Sequence, residues 1–247
     1  AGAEIITTNT YPTSPLLFNA LGRDDDMVRI DAVAAEIARA ASDGRVPVAG
    51  SFSVMRPMEE GRDRVERYRE WPEDEARRLM KRKAESLAEA GCDLIMMEMM
   101  RDTDYSVWAT EAAIATGLPV WIGIATEPRE GDQVLTGFAR PDQPLDETVR
   151  RLSSLGGDVI SIMHTLPNHV GNALDIVRQH WQGPFGAYPE SGFFRMPDWQ
   201  FVDIIAPDDL VAHARQWQAK GATIFGGCCG TGPSHIKALA AAFGRRV

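Results

Sequence analysis

Short apolar runs recur along the chain, and most of them follow an amphipathic stretch and a glycine. Gly91-Cys92-Asp93 precedes one such run, and Gly221-Ala222 precedes another. A glycine in this place is typical of a left-handed helix C-cap, and an apolar run without polar alternation is typical of a strand buried on both faces. Repeated helix-to-strand units of this kind predict a parallel sheet.

The pattern predicts alternating strands and helices over the whole chain. We expect strands near residues 4–9, 46–53, 94–99, 119–125, 159–164, 184–188 and 223–227. We expect helices near residues 25–42, 73–90, 104–116, 144–155, 168–181, 207–220 and 233–244. A closed barrel has eight strands and eight helices, so the sequence predicts an α/β TIM barrel that lacks its first βα unit. No linker-like segment divides residues 1–247, so we expect one barrel domain.

The chain opens with Ala1-Gly2-Ala3-Glu4, has no initiator methionine there, and runs directly into a predicted strand. We therefore expect an upstream segment to be missing. The first strand of a barrel pairs with both the second and the eighth, so the segments 4–8 and 223–227 are expected to be exposed sheet edges. We expect such a gap to stay open, to be filled by another copy of the chain in a homo-oligomer, or to be disordered.

The net charge is −9, from 26 basic and 35 acidic residues, which argues against nucleic acid or an anionic membrane as a partner. The three cysteines do not form a disulfide framework, because one stands alone and two are adjacent. A reducing cytoplasm is therefore the expected location. No apolar run is long enough to span a bilayer.

The pair Cys228-Cys229 lies in the glycine-rich segment 226–233, directly after the last predicted strand. Two adjacent thiols cannot both point into a core, and a disulfide between neighbouring residues is strained. Thiolates are good zinc ligands, and the surrounding glycines allow a sharp turn that lets both sulfurs face one point. The alternative is that one thiol is buried in the core and the other has no role. The pattern favours a zinc site over this alternative.

His164 ends another predicted strand, and functional side chains of a barrel lie at the carboxyl ends of its strands. Two cysteines and one histidine leave a fourth zinc position open, as in catalytic sites. Zinc in such a site can hold a substrate thiol as thiolate, so no protein nucleophile is predicted. His169 remains an alternative ligand. Cys92 follows a helix C-cap at the opposite face and is expected to be an inert buried thiol.

Glu98 lies among four methionines in the segment 95–100, the least polar neighbourhood of the chain. A carboxylate there needs a partner or stays protonated. Its place at a strand end indicates binding of the ammonium group of an amino acid, with an ion pair to Arg101 as the alternative. Other polar residues at strand ends are also predicted to bind substrate: Thr8, Asn9, Ser51 and Tyr188.

These residues lie in segments that resemble the homocysteine S-methyltransferase family, whose zinc-dependent barrels move a methyl group onto homocysteine sulfur. Residues 1–11 are close to the family's second-strand signature, and Glu98 matches the acidic residue that contacts the substrate amine. Residues 188–192 resemble its Tyr-Pro-Asn-small-Gly loop. Residues 226–236 are the most specific match, because that signature supplies two zinc thiolates. The resemblance covers essentially the whole chain.

Two departures from the family pattern stand out. The family's third zinc ligand is a cysteine in an Asn-Cys pair, where this chain has Met163-His164. Imidazole in place of thiolate makes the site one charge less negative. Zinc with these ligands is a stronger Lewis acid. The loop after the second predicted strand contains Arg56 in place of the usual Gly-Pro sequence. Arg56 either faces a substrate carboxylate or lies solvated in the loop.

The resemblance implies transfer of a methyl group to homocysteine or a related thiol, giving methionine. An onium donor, S-methylmethionine or a betaine, is expected because no cobalamin or folate module accompanies the barrel. Trp121, Tyr188 and Trp199 lie near strand ends and could hold a cationic donor through cation–π contacts, with core packing as the alternative for Trp121. Two other hypotheses remain: a relative with another donor or acceptor, and a non-catalytic barrel that binds a thiol or a metal.

Overall fold

Seven parallel strands form one sheet in the order in which they occur along the chain. This architecture is seen in a computed structural model, which describes residues 1–57, 70–195 and 200–244. A doubly wound sheet reverses its strand order at a switch point, whereas a barrel keeps sequence order throughout. The sequential order, with a helix after each strand, confirms the predicted barrel-type α/β fold.

The described elements alternate as the sequence predicted, with a few additions. The strands are β1 (Ile6–Thr7), β2 (Val48–Ser53), β3 (Leu94–Met100), β4 (Val120–Pro128), β5 (Leu135–Gly137), β6 (Arg140–Pro144), β7 (Val159–Met163), β8 (Phe185–Tyr188), β9 (Phe193–Arg195), β10 (Gln200–Val202) and β11 (Ile224–Phe225). The helices are α1 (Pro15–Ala20), α2 (Asp24–Ser42), α3 (Glu73–Glu89), α4 (Thr103–Ile114), α5 (Leu145–Ser153), α6 (Pro167–His180), α7 (Pro207–Ala219) and α8 (Pro233–Phe243).

The two ends of the sheet are β1 and β11. Each has one strand neighbour in the described part of the chain: β1 pairs with β2, and β11 pairs with β8. Both strands therefore have an unpaired edge, as the sequence predicted for segments 4–8 and 223–227. Both are also shorter than predicted.

The helices α2 to α8 pack against one another in sequence order and against the strands. Left-handed glycines end two of these helices as predicted, Gly91 at φ 80° and Gly221 at φ 101°. The buried side of the helices and the sheet share one large apolar core, which includes Leu79, Ile122 and Trp217. No helix among the described residues is both long enough and apolar enough to cross a membrane.

Helix α1, the hairpin of β5 and β6, and the pair of β9 and β10 were not predicted. Helix α1 is only six residues long, too short to show a helical repeat. Strand β6 contains two prolines and an aspartate, so its sequence is typical of a loop. The hairpin pairs with the end of β4 and thereby extends the sheet at its carboxyl edge.

A buried ion pair connects α2 and α3 to the segment that follows β1. Lys83 Nζ donates to Asp31 Oδ1 at 2.6 Å and to Thr13 Oγ1 at 2.8 Å, and both charged side chains are fully buried. Ser86 donates to the other oxygen of Asp31 at 3.1 Å, and Lys83 Nζ also lies 3.5 Å from the carbonyl of Thr10. The network fixes the chain just after β1.

Removal of one partner would leave the other as a buried, uncompensated charge. We expect Lys83→Met to lower the free energy of unfolding by about 3–5 kcal/mol. Lys81→Met on the exposed face of the same helix is the matched control, since Lys81 makes only a 3.7 Å pair with Glu85, and it should change stability by less than about 0.5 kcal/mol. Urea unfolding followed by circular dichroism measures both, and equal small losses would contradict a role for the buried pair.

Candidate metal and substrate site

Three predicted ligands meet beyond the carboxyl ends of β7 and β11. Cys228 Sγ lies 3.7 Å from His164 Nδ1 and 3.8 Å from Cys229 Sγ. The three ligand atoms all lie within 4.8 Å of one another, and they form the one group of this kind among the described residues. The structure thus brings together the residues that the sequence predicted as a metal site. His169 is not part of this group.

Backbone hydrogen bonds hold the cysteine loop against the segment that follows β8. Cys228 N donates to the carbonyl of Pro189, and Ser191 N donates to the carbonyl of Cys229, both at 2.9 Å. The two segments approach so closely that a Cβ on Gly230 would lie 1.8 Å from the carbonyl oxygen of Ser191. Gly230 also has a φ of 76°, so glycine is required there for two reasons.

His164 follows β7 with a left-handed backbone, at φ 43°, which is uncommon for a residue with a Cβ. Thr165 holds this conformation: its hydroxyl donates toward the carbonyls of Met163 at 2.8 Å and Thr126 at 3.0 Å. The Phe138 ring, from the β5–β6 hairpin, packs edge-on against the imidazole at 4.7 Å between ring centroids. Strained backbone that the surroundings hold in place is a common feature of functional sites.

The pKa values of the two thiols shift in opposite directions because Cys228 Sγ donates a hydrogen bond to Cys229 Sγ. The pKa of Cys229 is lowered, first because the Cys228 thiol donates a hydrogen bond to it and then through His164, against the opposing effect of burial. The pKa of Cys228 is raised well above its usual value by the same hydrogen bond and by burial. A bound cation would favour the thiolate form of both cysteines.

The donor set fits zinc. In a tetrahedral zinc site, two sulfur ligands that each lie about 2.3 Å from the zinc are roughly 3.8 Å from each other. A sulfur and a nitrogen bound to the same zinc are roughly 3.6 Å apart. The observed separations of 3.8 Å between the sulfurs and 3.7 Å between Cys228 Sγ and His164 Nδ1 are close to these values. Two thiolates and one imidazole are also the ligand types that zinc prefers.

Glu98, at the end of β3, faces the interior of the sheet. Its carboxylate accepts a hydrogen bond from Ser51 Oγ on the neighbouring strand. The pKa of Glu98 is raised, chiefly by burial, while the bond from Ser51 lowers it and the Cys229 charge raises it. Ser51 therefore supports the charged form of a carboxylate that is otherwise poorly solvated.

Thr8 holds the strand on which Ser51 lies. Its hydroxyl accepts a hydrogen bond from Ser51 N at 3.0 Å and is 2.6 Å from the Thr10 hydroxyl. Thr10 Oγ1 in turn donates to the Ser51 carbonyl at 2.8 Å. The Thr8 side chain thus supports Ser51 and Glu98, whereas the side chain of the neighbouring Asn9 is exposed.

A cavity of about 380 Å³ opens between β1 and β11 and reaches the interior of the sheet. Glu98, Trp121 and Tyr188 line it, together with apolar residues of α8. The Tyr188 hydroxyl is buried and has no hydrogen-bond partner among the described residues. Burial raises its pKa well above the usual value, so the group is a neutral donor.

Other residues singled out in the sequence have plain roles. Cys92 is a buried free thiol, as expected, and burial raises its pKa to about 11. Arg56 is not solvated: it is buried, donates to Asp102 at 2.6 Å and lies over the Tyr105 ring. Arg101 bonds the Phe138 carbonyl at 3.3 Å. Trp199 lies outside the described residues.

Several site residues could not be singled out from the sequence. Tyr11 and Phe138 pack with Cys228 and the predicted residue Tyr188 around Met99 and Met163 in a small apolar cluster. Glu190 contacts His164 at 3.2 Å between the Oε2 and Nε2 atoms. The positive φ of Met99 was equally hidden in an apolar run. Among these residues, only Glu190 had a feature in the sequence that pointed to the site, namely its position after a predicted strand.

A sequence model of the homocysteine S-methyltransferase family matches residues 1–243. The chain belongs to this family. The resemblance noted in the sequence is thereby confirmed, and with it the assignment to a family of methyltransferases.

Curated relatives are distant but extend over nearly the whole chain. Homocysteine S-methyltransferase 4 of Zea mays is 24% identical over 98% of this chain and 76% of its own length. Betaine–homocysteine S-methyltransferase 1 of Mus musculus is 25% identical over 97% of this chain, but the chain spans only 60% of that protein. The metallated form of the Escherichia coli homocysteine methyltransferase MmuM has a TM-score of 0.75 at 24% identity, covering 97% of this chain and 80% of that one, which confirms the fold.

The position of the Tyr188 ring depends on a glycine in β4. A Cβ on Gly123 would lie 1.9 Å from the Tyr188 hydroxyl and 2.8 Å from the Met97 carbonyl oxygen. We expect Gly123→Ala to lower the free energy of unfolding by about 1–3 kcal/mol through overpacking.

Two further variants test this steric explanation. In a Tyr188→Phe background, which lacks the clashing oxygen, part of the loss should be recovered. Gly171→Ala is the control, because a Cβ there would meet only Lys220 Cε at 3.5 Å, and helix propensity predicts no loss. The same loss for Gly123→Ala in both backgrounds, measured by thermal unfolding, would refute the explanation.

Proposed function

We propose that this protein is a zinc-dependent S-methyltransferase that moves a methyl group from an onium donor, S-methylmethionine or a betaine-like compound, to homocysteine or a related thiol. Methionine is the product when homocysteine is the acceptor. Family membership supports methyl transfer to a thiol. The observation that carries the proposal is the group of His164, Cys228 and Cys229 at zinc-like spacing above the same sheet that holds Glu98.

Each part of the site has a task in this proposal. Cys228, Cys229 and His164 would hold the metal, which would keep the acceptor sulfur as thiolate at neutral pH. Glu98 would accept the α-ammonium group of the acceptor, with Ser51 keeping its carboxylate charged. The Tyr188 hydroxyl would donate a hydrogen bond to the bound amino acid. Thr8 acts through Ser51.

Methyl transfer then needs no protein nucleophile. The acceptor sulfur forms a bond to the methyl carbon, and the bond between this carbon and the onium sulfur or nitrogen breaks. The electron pair of the broken bond stays on that onium atom, which loses its positive charge. The protein's contribution is to orient the thiolate toward the methyl group and to exclude water. The apolar cluster of Tyr11, Met99, Phe138 and Met163 around Cys228 provides such surroundings.

The free thiols also suit a reducing compartment, so we propose the cytoplasm as the location. The acidic net charge of −9 supports small-molecule substrates over nucleic acid. The direct test supplies the reduced, zinc-loaded protein with homocysteine and, one at a time, S-methylmethionine and glycine betaine. Methionine formation with either donor is expected. Retained zinc without homocysteine-dependent turnover of any onium donor would contradict the proposed reaction.

Substitution of the ligands should change zinc retention in a graded manner. We expect Cys228→Ser and Cys229→Ser each to abolish zinc retention and turnover, and His164→Ala to weaken zinc binding. His164→Cys should preserve binding, because a thiolate also suits the site. Metal content measured by mass spectrometry after dialysis distinguishes these results. Cys92→Ser is the matched control and should retain zinc; loss of zinc in Cys92→Ser but not in the other variants would refute the ligand assignment.

Substitution of Glu98 should affect binding of the acceptor. We expect Glu98→Gln to raise the KM for homocysteine by about 10- to 150-fold, which corresponds to loss of a charge-assisted bond of about 1.5–3 kcal/mol. Glu111→Gln, which removes a carboxylate paired with Arg77 on the outer helices, should leave this KM unchanged. An unchanged KM in Glu98→Gln would assign Glu98 a structural role.

A further inference from the structure

The His164 imidazole has a polar neighbour on each of its two nitrogens. Nδ1 faces Cys228 Sγ at 3.7 Å, and Nε2 faces Glu190 Oε2 at 3.2 Å. The ring therefore bridges the thiol group and a carboxylate. A neutral imidazole has one nitrogen that donates and one that accepts, so a carboxylate on one side determines which nitrogen carries the proton.

The backbone around Glu190 holds this carboxylate in place. The residues on either side of it, Pro189 and Ser191, make the two 2.9 Å backbone hydrogen bonds to Cys228 and Cys229. The Ser191 side chain is also fixed, because its hydroxyl accepts a hydrogen bond from Ile205 N at 2.7 Å. Glu190 is thus carried by a segment that is bonded directly to the cysteine loop.

The contact is sheltered from water. The side chains of His164 and Glu190 are 17% and 18% exposed, respectively. A second contact of the same kind lies on the outer helices, where His180 Nε2 is 2.8 Å from Asp146 Oδ1, but that aspartate is 58% exposed. Solvent weakens exposed pairs of this type, and the pair at the site is less screened by solvent.

We propose that Glu190 is a positioning residue for the metal site: it accepts the Nε2 proton of His164 and so presents the lone pair of Nδ1 to the metal. This inference rests on the metal site of the proposed function. Carboxylates that bind the second nitrogen of a metal-ligating histidine fix its tautomer and raise its basicity. The negative charge of Glu190 also compensates for the charge that a histidine lacks relative to a thiolate.

A double-mutant cycle on zinc affinity tests the role of Glu190. Glu190→Gln should lower zinc affinity about 10- to 100-fold in the wild-type background, measured by competition with a chelator. In the His164→Cys background the same substitution should change affinity by no more than about twofold, the limit for uncoupled sites. An equal loss in both backgrounds, or no loss in the wild type, would overturn the proposal.

The tautomer of His164 gives a second measurement, which would not change if Glu190 had only a structural role. Nitrogen NMR of the zinc-loaded protein, labelled on histidine, should show His164 with a protonated Nε2 and a metal-bound Nδ1. Glu190→Gln should weaken the Nε2 hydrogen bond and shift this resonance. Zinc bound through Nε2, or a His164 spectrum that Glu190→Gln leaves unchanged, would contradict the proposal.

Two comparisons complete the design. Asp146→Asn removes the exposed carboxylate from His180 and should leave zinc affinity unchanged. Thermal unfolding of the metal-free variants shows whether Glu190→Gln alters the fold itself, and we expect no change. Neither measurement depends on turnover. A protein that binds zinc with the predicted coupling but methylates no thiol would refute the proposed reaction and leave the role of Glu190 supported.

Discussion

The parallel pairing of β8 with β7 on one side and β11 on the other is the constraint on which the site depends. It places Met163 beside Tyr188 and Phe225 beside Ala187, so the chain segments that follow all three strands leave the sheet together. The ladder continues past the strands, through the bonds from Gly226 N to the Ala187 carbonyl and from Cys228 N to the Pro189 carbonyl. His164 and the two cysteines are 64 and 65 residues apart in the sequence, yet they meet because β8 lies between their strands.

The substrate side of the site is held by a separate chain of polar contacts. The buried pair of Lys83 and Asp31 fixes the chain after β1, and Thr8 and Thr10 bond Ser51 on β2. Ser51 then bonds Glu98 on β3. A carboxylate between apolar strands is unfavourable on its own: burial raises the pKa of Glu98, and the hydrogen bond from Ser51 opposes that rise.

The fold could be predicted from the sequence because each buried parallel strand is a continuous apolar run that follows a helix cap. The strand ends could be predicted for the same reason, and their positions identified His164, Glu98 and the cysteine pair as candidate site residues. Elements without a hydrophobic repeat could not be predicted. Helix α1 is too short to show one, and β6 contains two prolines. The pairing of Glu190 with His164 was also hidden, since it depends on which strands are neighbours and on how their loops bond.

His164 and a further difference from the family's motifs, Glu190 in the loop 188–192, meet in space. The sequence replaces a ligand cysteine by His164 and an asparagine of the loop by Glu190, and these two side chains are in contact. The first change removes a negative charge from the metal site, and the second adds one beside it. The chemistry of the proposed metal site therefore involves four side chains, the three candidate ligands and the carboxylate beside the imidazole.

The central claim is that these ligands leave one position on zinc for the acceptor sulfur. X-ray absorption at the zinc edge of the reduced, zinc-loaded protein tests it directly, before and after addition of homocysteine. The account predicts two sulfur ligands and one imidazole before addition, and a third sulfur ligand afterwards. A spectrum that homocysteine does not change, or a first shell without both cysteine sulfurs, would contradict it.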